Sequence, residues 1–322
     1  MHNKLIDLAN EKIGGRALLA SDEFFAPKEN LLKPGRGVFI EDKYTDNGKW
    51  MDGWESRRKR TKGHDWCILR LGKPGIIKEM NIDTNHFVGN FPSYASVDAC
   101  TLPKYSGLDE IIESNRWEEI LTKVKLNGDS QNIFQISCNQ SFTHIRLNIY
   151  PDGGVARFRV HGIPDNIVAN DGGMKDFALS ENGGVMISCS DMHFSHMENL
   201  IKSTTGIDMS DGWETKRRRD PGNDWVILKL GSPCTIDRII VDTLHFKGNF
   251  PDSCSVEGNY VLGDTIINDE KDWMEVLSNS KLFGNQENVF IIDQHKPMTH
   301  IRFNIYPDGG VSRLRILGHP VK

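Results

Sequence analysis

Apolar and polar residues alternate with a period of two along several short stretches of the chain. In Thr143–Tyr150, Ile145, Leu147 and Ile149 fall on one face, and His144, Arg146, Asn148 and Tyr150 on the other, the pattern of a half-buried strand. CILRLG, IIKEMNIDT, SVDACT and VARFRVHG are also short, rich in Ile, Val, Leu and Phe, and bounded by Gly, Pro, Asn or Asp, which predicts more strands. One short helix is expected over Trp117–Val124, with a counterpart over Trp273–Leu277. Closely spaced strands without a βαβ rhythm predict an all-β chain folded as an antiparallel sandwich or jelly roll.

The chain says most things twice. DGWESRRKR at Asp52–Arg60 returns as DGWETKRRR at Asp211–Arg219, and DTNHFVGNFP at Asp83–Pro92 returns as DTLHFKGNFP at Asp242–Pro251, both shifted by 159. Thr143–Pro164 returns as Thr299–Pro320, shifted by 156, with 16 of 22 positions identical. Ser21, Asp22 and Phe25 match Ser190, Asp191 and Phe194 at a shift of 169, so the first copy carries an extra loop containing KPGRG between Leu31 and Asp52. A period this long is too great for a solenoid and predicts two tandem homologous domains. The junction should fall in the polar, glycine-bearing stretch Asp165–Lys175, giving repeats 1–168 and 169–322. The closing strand pair in each copy resembles the end of galactose-binding-like jelly rolls, so two such β-sandwich domains are expected.

Composition removes several function classes. With 39 basic against 44 acidic residues and a net charge of −5, a generic nucleic-acid binder is not expected. Mean hydropathy is −0.45, no apolar run approaches a membrane span, and the first residues lack the basic-then-apolar order of a secretory signal; a cytoplasmic location is expected. The six cysteines form no CxxC pair and read as free structural thiols.

Within one chain, the side chains that both copies keep mark candidate chemistry. Two histidine pairs match, His86 with His245 and His144 with His300. The block holding Asp83, His86 and Asn90, and its partner holding Asp242, His245 and Asn249, follows a strand and reads as a loop, where sites on a rigid sandwich are usually built. An Asp beside a His can fix the imidazole tautomer and suit it to proton transfer. The plainer reading is that Asp83 and Asn90 cap the turn while His86 packs. Arg146 and Asn148, with Arg302 and Asn304, form a polar stripe that is either a solvated face or a guanidinium–amide pair for a small polar ligand. Glu55 and Glu214 precede a basic run in which Arg58 and Arg217 stay arginine, whereas Arg57 meets Lys216. A bidentate carboxylate clamp needs arginine geometry. Trp54 and Trp213, like Trp66 and Trp225, read as core or wall residues. No phosphate-binding loop, nucleophile elbow or HExxH motif occurs. No cofactor is expected; a divalent metal held by His and Asp from separate loops would leave no spacing signature, so it stays open.

SDEFFAPKENLL, DGWESRRKR, GHDW, DTNHFVGNFP and RLNIYPDGGVARFRVHG, in that order, resemble the motifs of the allantoicase family, and the resemblance covers nearly the whole chain, duplication included. It implies a hydrolase that converts allantoate and water to ureidoglycolate and urea in purine degradation. It also implies a cytoplasmic homo-oligomer of jelly-roll repeats. Allantoate is a small anion bearing a carboxylate and two ureido groups. Arg58, Arg146, Asn148 and Asn90, with Arg217, Arg302, Asn304 and Asn249, supply the side-chain types that would bind it. His86 with Asp83 or Glu55, and His245 with Asp242 or Glu214, would move the protons. Two other classes fit the pattern: an enzyme releasing urea from ureidoglycolate, and a non-catalytic tandem carbohydrate-binding module. The second repeat lacks the KPGRG loop and has Leu244 for Asn85 and Asn223 for His64, so the two copies are not equivalent.

Overall fold

The computed structural model describes residues 5–165, 173–261 and 273–321. The chain divides into two compact units, Met1–Asp171 and Gly172–Lys322; the junction expected at 168/169 lies outside the described residues.

The first unit runs β1 (Ile6–Asp7), β2 (Arg16–Ala20), a small hairpin of β3 (Tyr44–Thr45) and β4 (Gly48–Lys49), β5 (Trp54–Glu55), β6 (Asp65–Asp83), β7 (Tyr94–Cys100), α1 (Leu108–Ile112), β8 (Glu118–Lys125), β9 (Gln131–Gln135), β10 (Ser141–Tyr150), β11 (Gly154–Val155) and β12 (Arg157–Pro164). The two apolar runs CILRLG and IIKEMNIDT are one 19-residue strand, β6. Its first half pairs with β2 and β10, and its second half with β12 and β9. One long strand thus passes from one layer of an antiparallel jelly-roll sandwich to the other. Ile145, Leu147 and Ile149 of β10 are fully buried with Trp54, Ile82, Phe158 and Val160, so the alternating face read from sequence is the one that lines the core.

The second unit repeats this order as β13 (Lys175–Asp176), β14 (Val185–Cys189), β15 (Trp213–Glu214), β16 (Asp224–Asp242), β17 (Ser253–Asn259), β18 (Met274–Lys281), β19 (Glu287–Tyr306), β20 (Gly310–Val311) and β21 (Arg313–Pro320). It has its own core around Trp213, Ile239, Phe303 and Leu314. Trp54 and Trp213 are fully buried, while Trp66 and Trp225 are only partly covered. All six cysteines are free, and Cys67, Cys100, Cys234 and Cys254 are buried. Among the described residues no helix is long and apolar enough to cross a membrane.

One expectation is corrected. Trp117–Val124 is not helical: Glu118–Lys125 is strand β8, and its counterpart Met274–Lys281 is strand β18. The misleading signal has a physical origin. Val124 faces Ala95 and Leu121 faces Val97, so three residues of β8 span two of β7. A β-bulge inserts the extra residue and moves the apolar phase from spacing two to spacing three, which imitates a helix. β18 carries the same irregularity against β17.

Candidate functional site

The two blocks that recur most faithfully are two halves of one joint. After β6 the chain turns through Thr84-Asn85-His86-Phe87, closed by a 2.9 Å bond from the Phe87 amide to the Thr84 carbonyl. The Phe87 ring is fully buried under the PDGG turn between β10 and β11. A Cβ at Gly154 would lie 1.9 Å from that ring, and Gly153 sits at φ +136° against the Asn90 carbonyl. Only glycine fits such an approach and such a dihedral. Gly310 and Phe246 repeat the 1.9 Å approach. At the crest of each turn the histidine is left-handed, His86 at φ 65° and His245 at φ 74°. That is an uncommon state for a side chain larger than glycine, and one that recurs at functional sites.

In the first unit this joint gathers several predicted residues and adds others. Asn90 Nδ2 donates to Glu55 Oε1 at 2.7 Å. Glu55 is 8% exposed, and burial pushes its carboxyl above the usual range, with the Asn90 bond partly opposing the rise. Asp83, 2% exposed, accepts from Arg36 Nε at 2.9 Å and Arg36 Nη2 at 3.0 Å, and from the Asn85 amide at 3.0 Å. Asn85 Nδ2 donates to the Gly37 carbonyl at 2.8 Å, which fastens the inserted loop along the His86 turn. The half-buried His86 ring lies 5.5 Å, centroid to centroid, from Phe39 of the same insertion, and the His86 amide is anchored on Asp129 at 2.8 Å. The ring bonds neither Asp83 nor Glu55 among the described contacts. Behind them Arg157 is 3% exposed and donates to Asp52 Oδ2 at 2.6 Å and to the Asp52 carbonyl at 2.7 Å. Burial would raise the Asp52 carboxyl, but the Arg157 and Val38 hydrogen bonds, with the Arg157 and Lys33 charges, hold it below its ordinary range.

The second unit keeps the joint and covers it differently. Asn249 Nδ2 bonds Glu214 Oε1 at 2.7 Å, as in the first unit. The Asp242 carboxylate accepts from the Leu244 amide at 2.9 Å. His245 Nε2, however, donates to the carbonyl of buried Gly206 at 2.9 Å, and Met209 Sδ lies 3.5 Å from Asn249 Nδ2. Arg313, the counterpart of Arg157, repeats its bonds on Asp211 and the preceding carbonyl but meets the Thr204 carbonyl where Arg157 meets that of Arg36. The segment 204–209 therefore occupies the end that the long insertion borders in the first unit.

The remaining candidates lie elsewhere. Arg146 gives its Nε and Nη2 to Asp98 at 2.9 and 2.7 Å and stacks 4.9 Å from the Trp117 ring. Asn148 is shared among Asp98, Ser96 and His64. Their counterparts behave alike: Arg302 lies 4.8 Å over Trp225, and Asn304 bonds Glu257 and Ser255. This stripe is a polar network on the sheet face opposite the core. Arg58 and Arg217 are exposed and make no ion pair or hydrogen bond among the described residues; the neighbouring Lys59 and Arg218 instead bridge Asp65 and Asp224 at 2.7 and 2.6 Å. His144 and His300 are buried, each with Nδ1 2.9 Å from the preceding threonine hydroxyl.

Sequence reasoning did not single out Arg36 or Arg157. Arg157 carried a usable signal, since it matches Arg313 inside the best-kept block. Arg36 lies in the insertion, so a comparison of the copies cannot find it. Among the described residues no group of three or more His, Cys, Asp or Glu is placed to hold a metal ion. A cleft of about 600 Å³ beside α1, lined by Thr101, Leu102, Glu110 and Arg116, sits at the opposite end of β10 from this joint.

The fold defines a tandem-sandwich protein that carries a polar, carboxylate-rich cluster of Asp52, Glu55 and Asp83 at a loop end of its first unit. The Allantoicase repeat family model matches residues 6–165 and again 175–321. A "Probable allantoicase" of Pseudomonas fluorescens Pf0-1 is 49% identical, covering 99% of this chain and 97% of its own. One from Photobacterium profundum is also 49% identical, over 97% and 96%. The crystal structure of allantoicase from Saccharomyces cerevisiae is 37% identical, covering 99% of this chain and 94% of that one, with a TM-score of 0.46. The chain belongs to the allantoicase family.

Proposed function

We propose that allantoate is hydrolysed at the loop end of the first repeat, with Glu55 and His86 carrying the protons. The protein is an allantoate amidinohydrolase, acting on a carbon–nitrogen bond of its substrate and releasing urea. In that reaction one bond from the central carbon to a ureido nitrogen breaks. The oxygen of water bonds to the carbon and sheds a proton, and the departing nitrogen gains one.

Glu55 supports the reading best. It is a buried carboxyl with a raised affinity for protons, tied by Asn90 to the loop that presents His86. A carboxylate of this kind takes the proton from attacking water more readily than an exposed one. His86, held at φ 65° on the turn that also carries Asn90, gives a proton to the leaving nitrogen. Asp83 fixes the turn through its bond to the Asn85 amide. In the second repeat the matching imidazole is committed to Gly206, so the first repeat is the reactive one. We also infer that the protein acts in the cytoplasm, as a homo-oligomer and without a resident cofactor.

The test compares equivalent substitutions. Glu55→Gln keeps the Asn90 contact in shape but cannot accept a proton, and urea release from allantoate should fall about 10²- to 10⁴-fold. Glu214→Gln should leave it within about threefold. Equal losses would place chemistry in both repeats, and an unaffected Glu55→Gln enzyme would remove Glu55 from the mechanism.

A further inference from the structure

The Arg36 guanidinium presents an unused face. Its Nε and Nη2 both donate to the buried Asp83 carboxylate, which uses the side edge of the guanidinium. Its Nη1 has no partner among the described residues, and the side chain is 49% exposed. Guanidinium carries five N–H groups in a rigid plane, so the end-on fork formed by Nη1 and the second Nη2 proton remains open to solvent. The plane itself is held: Asp83 grips one edge, the Arg36 carbonyl lies 3.4 Å from Arg157 Nη2, and Asn85 bonds the next residue's carbonyl.

The other cations of this loop end differ from it. Arg157 is buried: its Nη1 and Nη2 go to Asp52 and backbone carbonyls, and its Nε is sealed away from solvent. Lys33 lies 3.7 Å from Asp52 and has no fork. Arg58 is free but unanchored, so holding it in one geometry would cost side-chain entropy. Arg36 alone in this cluster combines an open fork with a fixed orientation, the arrangement that favours bidentate capture of a carboxylate.

We propose that Arg36 binds the carboxylate of allantoate through this end-on fork while its side edge stays on Asp83. The inference rests on placing the reaction at the first repeat and adds the specificity residue. It also accounts for the insertion, because the loop containing KPGRG brings this guanidinium to one repeat only. No bond of Arg36 need break when substrate arrives, so the site is organised beforehand. The carboxylate is the substrate group that does not change in the reaction. Arg36 therefore acts by binding and orientation, and ureidoglycolate, which retains the carboxylate, should compete for it, whereas urea should not.

The experiment measures KM, kcat and product inhibition for the unaltered enzyme and its Arg36 variants, with circular dichroism as a check on folding. Arg36→Ala should raise KM for allantoate about 10- to 100-fold and weaken ureidoglycolate inhibition by a similar factor, while inhibition by urea stays within about twofold. Arg36→Lys keeps the charge without the fork and should recover only part of the loss. Unchanged KM and ureidoglycolate inhibition in Arg36→Ala would overturn the proposal, as would equal weakening of both products. If Arg36→Ala is misfolded, Arg36→Lys and Arg36→Gln carry the same comparison of products. The outcome separates from that of the site itself: inactive Glu55→Gln with an indifferent Arg36→Ala would leave the site standing and remove the clamp alone.

Discussion

At the loop end of the first repeat Glu55 and Asn90 are bonded, His86 stands on a left-handed turn, and an inserted loop brings Arg36 and Phe39 alongside. At the same place in the second repeat Glu214 and Asn249 keep the bond and His245 keeps the turn, but segment 204–209 accepts from the imidazole and sets Met209 against the amide. The scaffold is duplicated while the contacts of the imidazole are not. Retention in both copies therefore marks what the fold needs at least as strongly as what the chemistry needs. Phe87, Phe246 and the glycines above them are kept because a close contact demands them. The asymmetry lives in the residues that are not shared.

The sameness of the joint can be broken first. Phe87 and Phe246 are both fully buried, so Phe87→Ala should destabilise the first unit by about 3–5 kcal/mol and Phe246→Ala the second by the same amount. Guanidinium unfolding followed by circular dichroism measures both. Clearly unequal losses would mean that the two joints are not built alike, whatever their sequences suggest.

That joint also shows how far the sequence could be read. The strands, the tandem sandwiches and the loop at Asp83–Asn90 follow from alternation, repetition and turn residues. The helix expected at Trp117–Val124 failed because bulges in β8 changed the apolar spacing, and a bulge depends on the partner strand, which a single stretch does not reveal. In the site, Glu55 and Asn90 were legible as residue types, but their 2.7 Å contact joins positions 35 apart and needed the fold. Arg146 and Asn148 are two of the eight residues expected to bind substrate, and both also bond Asp98. Repetition could not tell a satisfied network from an open site. Arg36 was invisible to it for the opposite reason, having no counterpart at all.

The difference in contacts sharpens with the histidines. His86→Ala should lower kcat about 10²-fold, as loss of a proton carrier typically does. His245→Ala removes a bond to the Gly206 carbonyl and should change kcat by less than threefold while lowering stability by about 1 kcal/mol. Steady-state urea release and thermal unfolding, run on both variants, read the two effects. A larger kcat loss from His245→Ala would reverse the assignment of the reactive repeat.

The smallest expected effect is the most specific. Burial raises the Glu55 carboxyl's affinity for protons and the Asn90 hydrogen bond partly opposes it. In the proposed role of base Glu55 would work as the carboxylate, so activity should be lost as the pH falls through its raised pKa. Asn90→Ala removes a donor that favours the charged form, which leaves burial less opposed and moves the acid limb of the kcat profile to higher pH. Asn249→Ala deletes the equivalent donor beside Glu214 and should leave the limb in place. The profile thus reports which carboxyl the turnover senses, even where both variants stay well folded. A limb that moved downward in Asn90→Ala would mean that Glu55 is not the group it records, and a limb that moved only in Asn249→Ala would hand the chemistry to the second repeat.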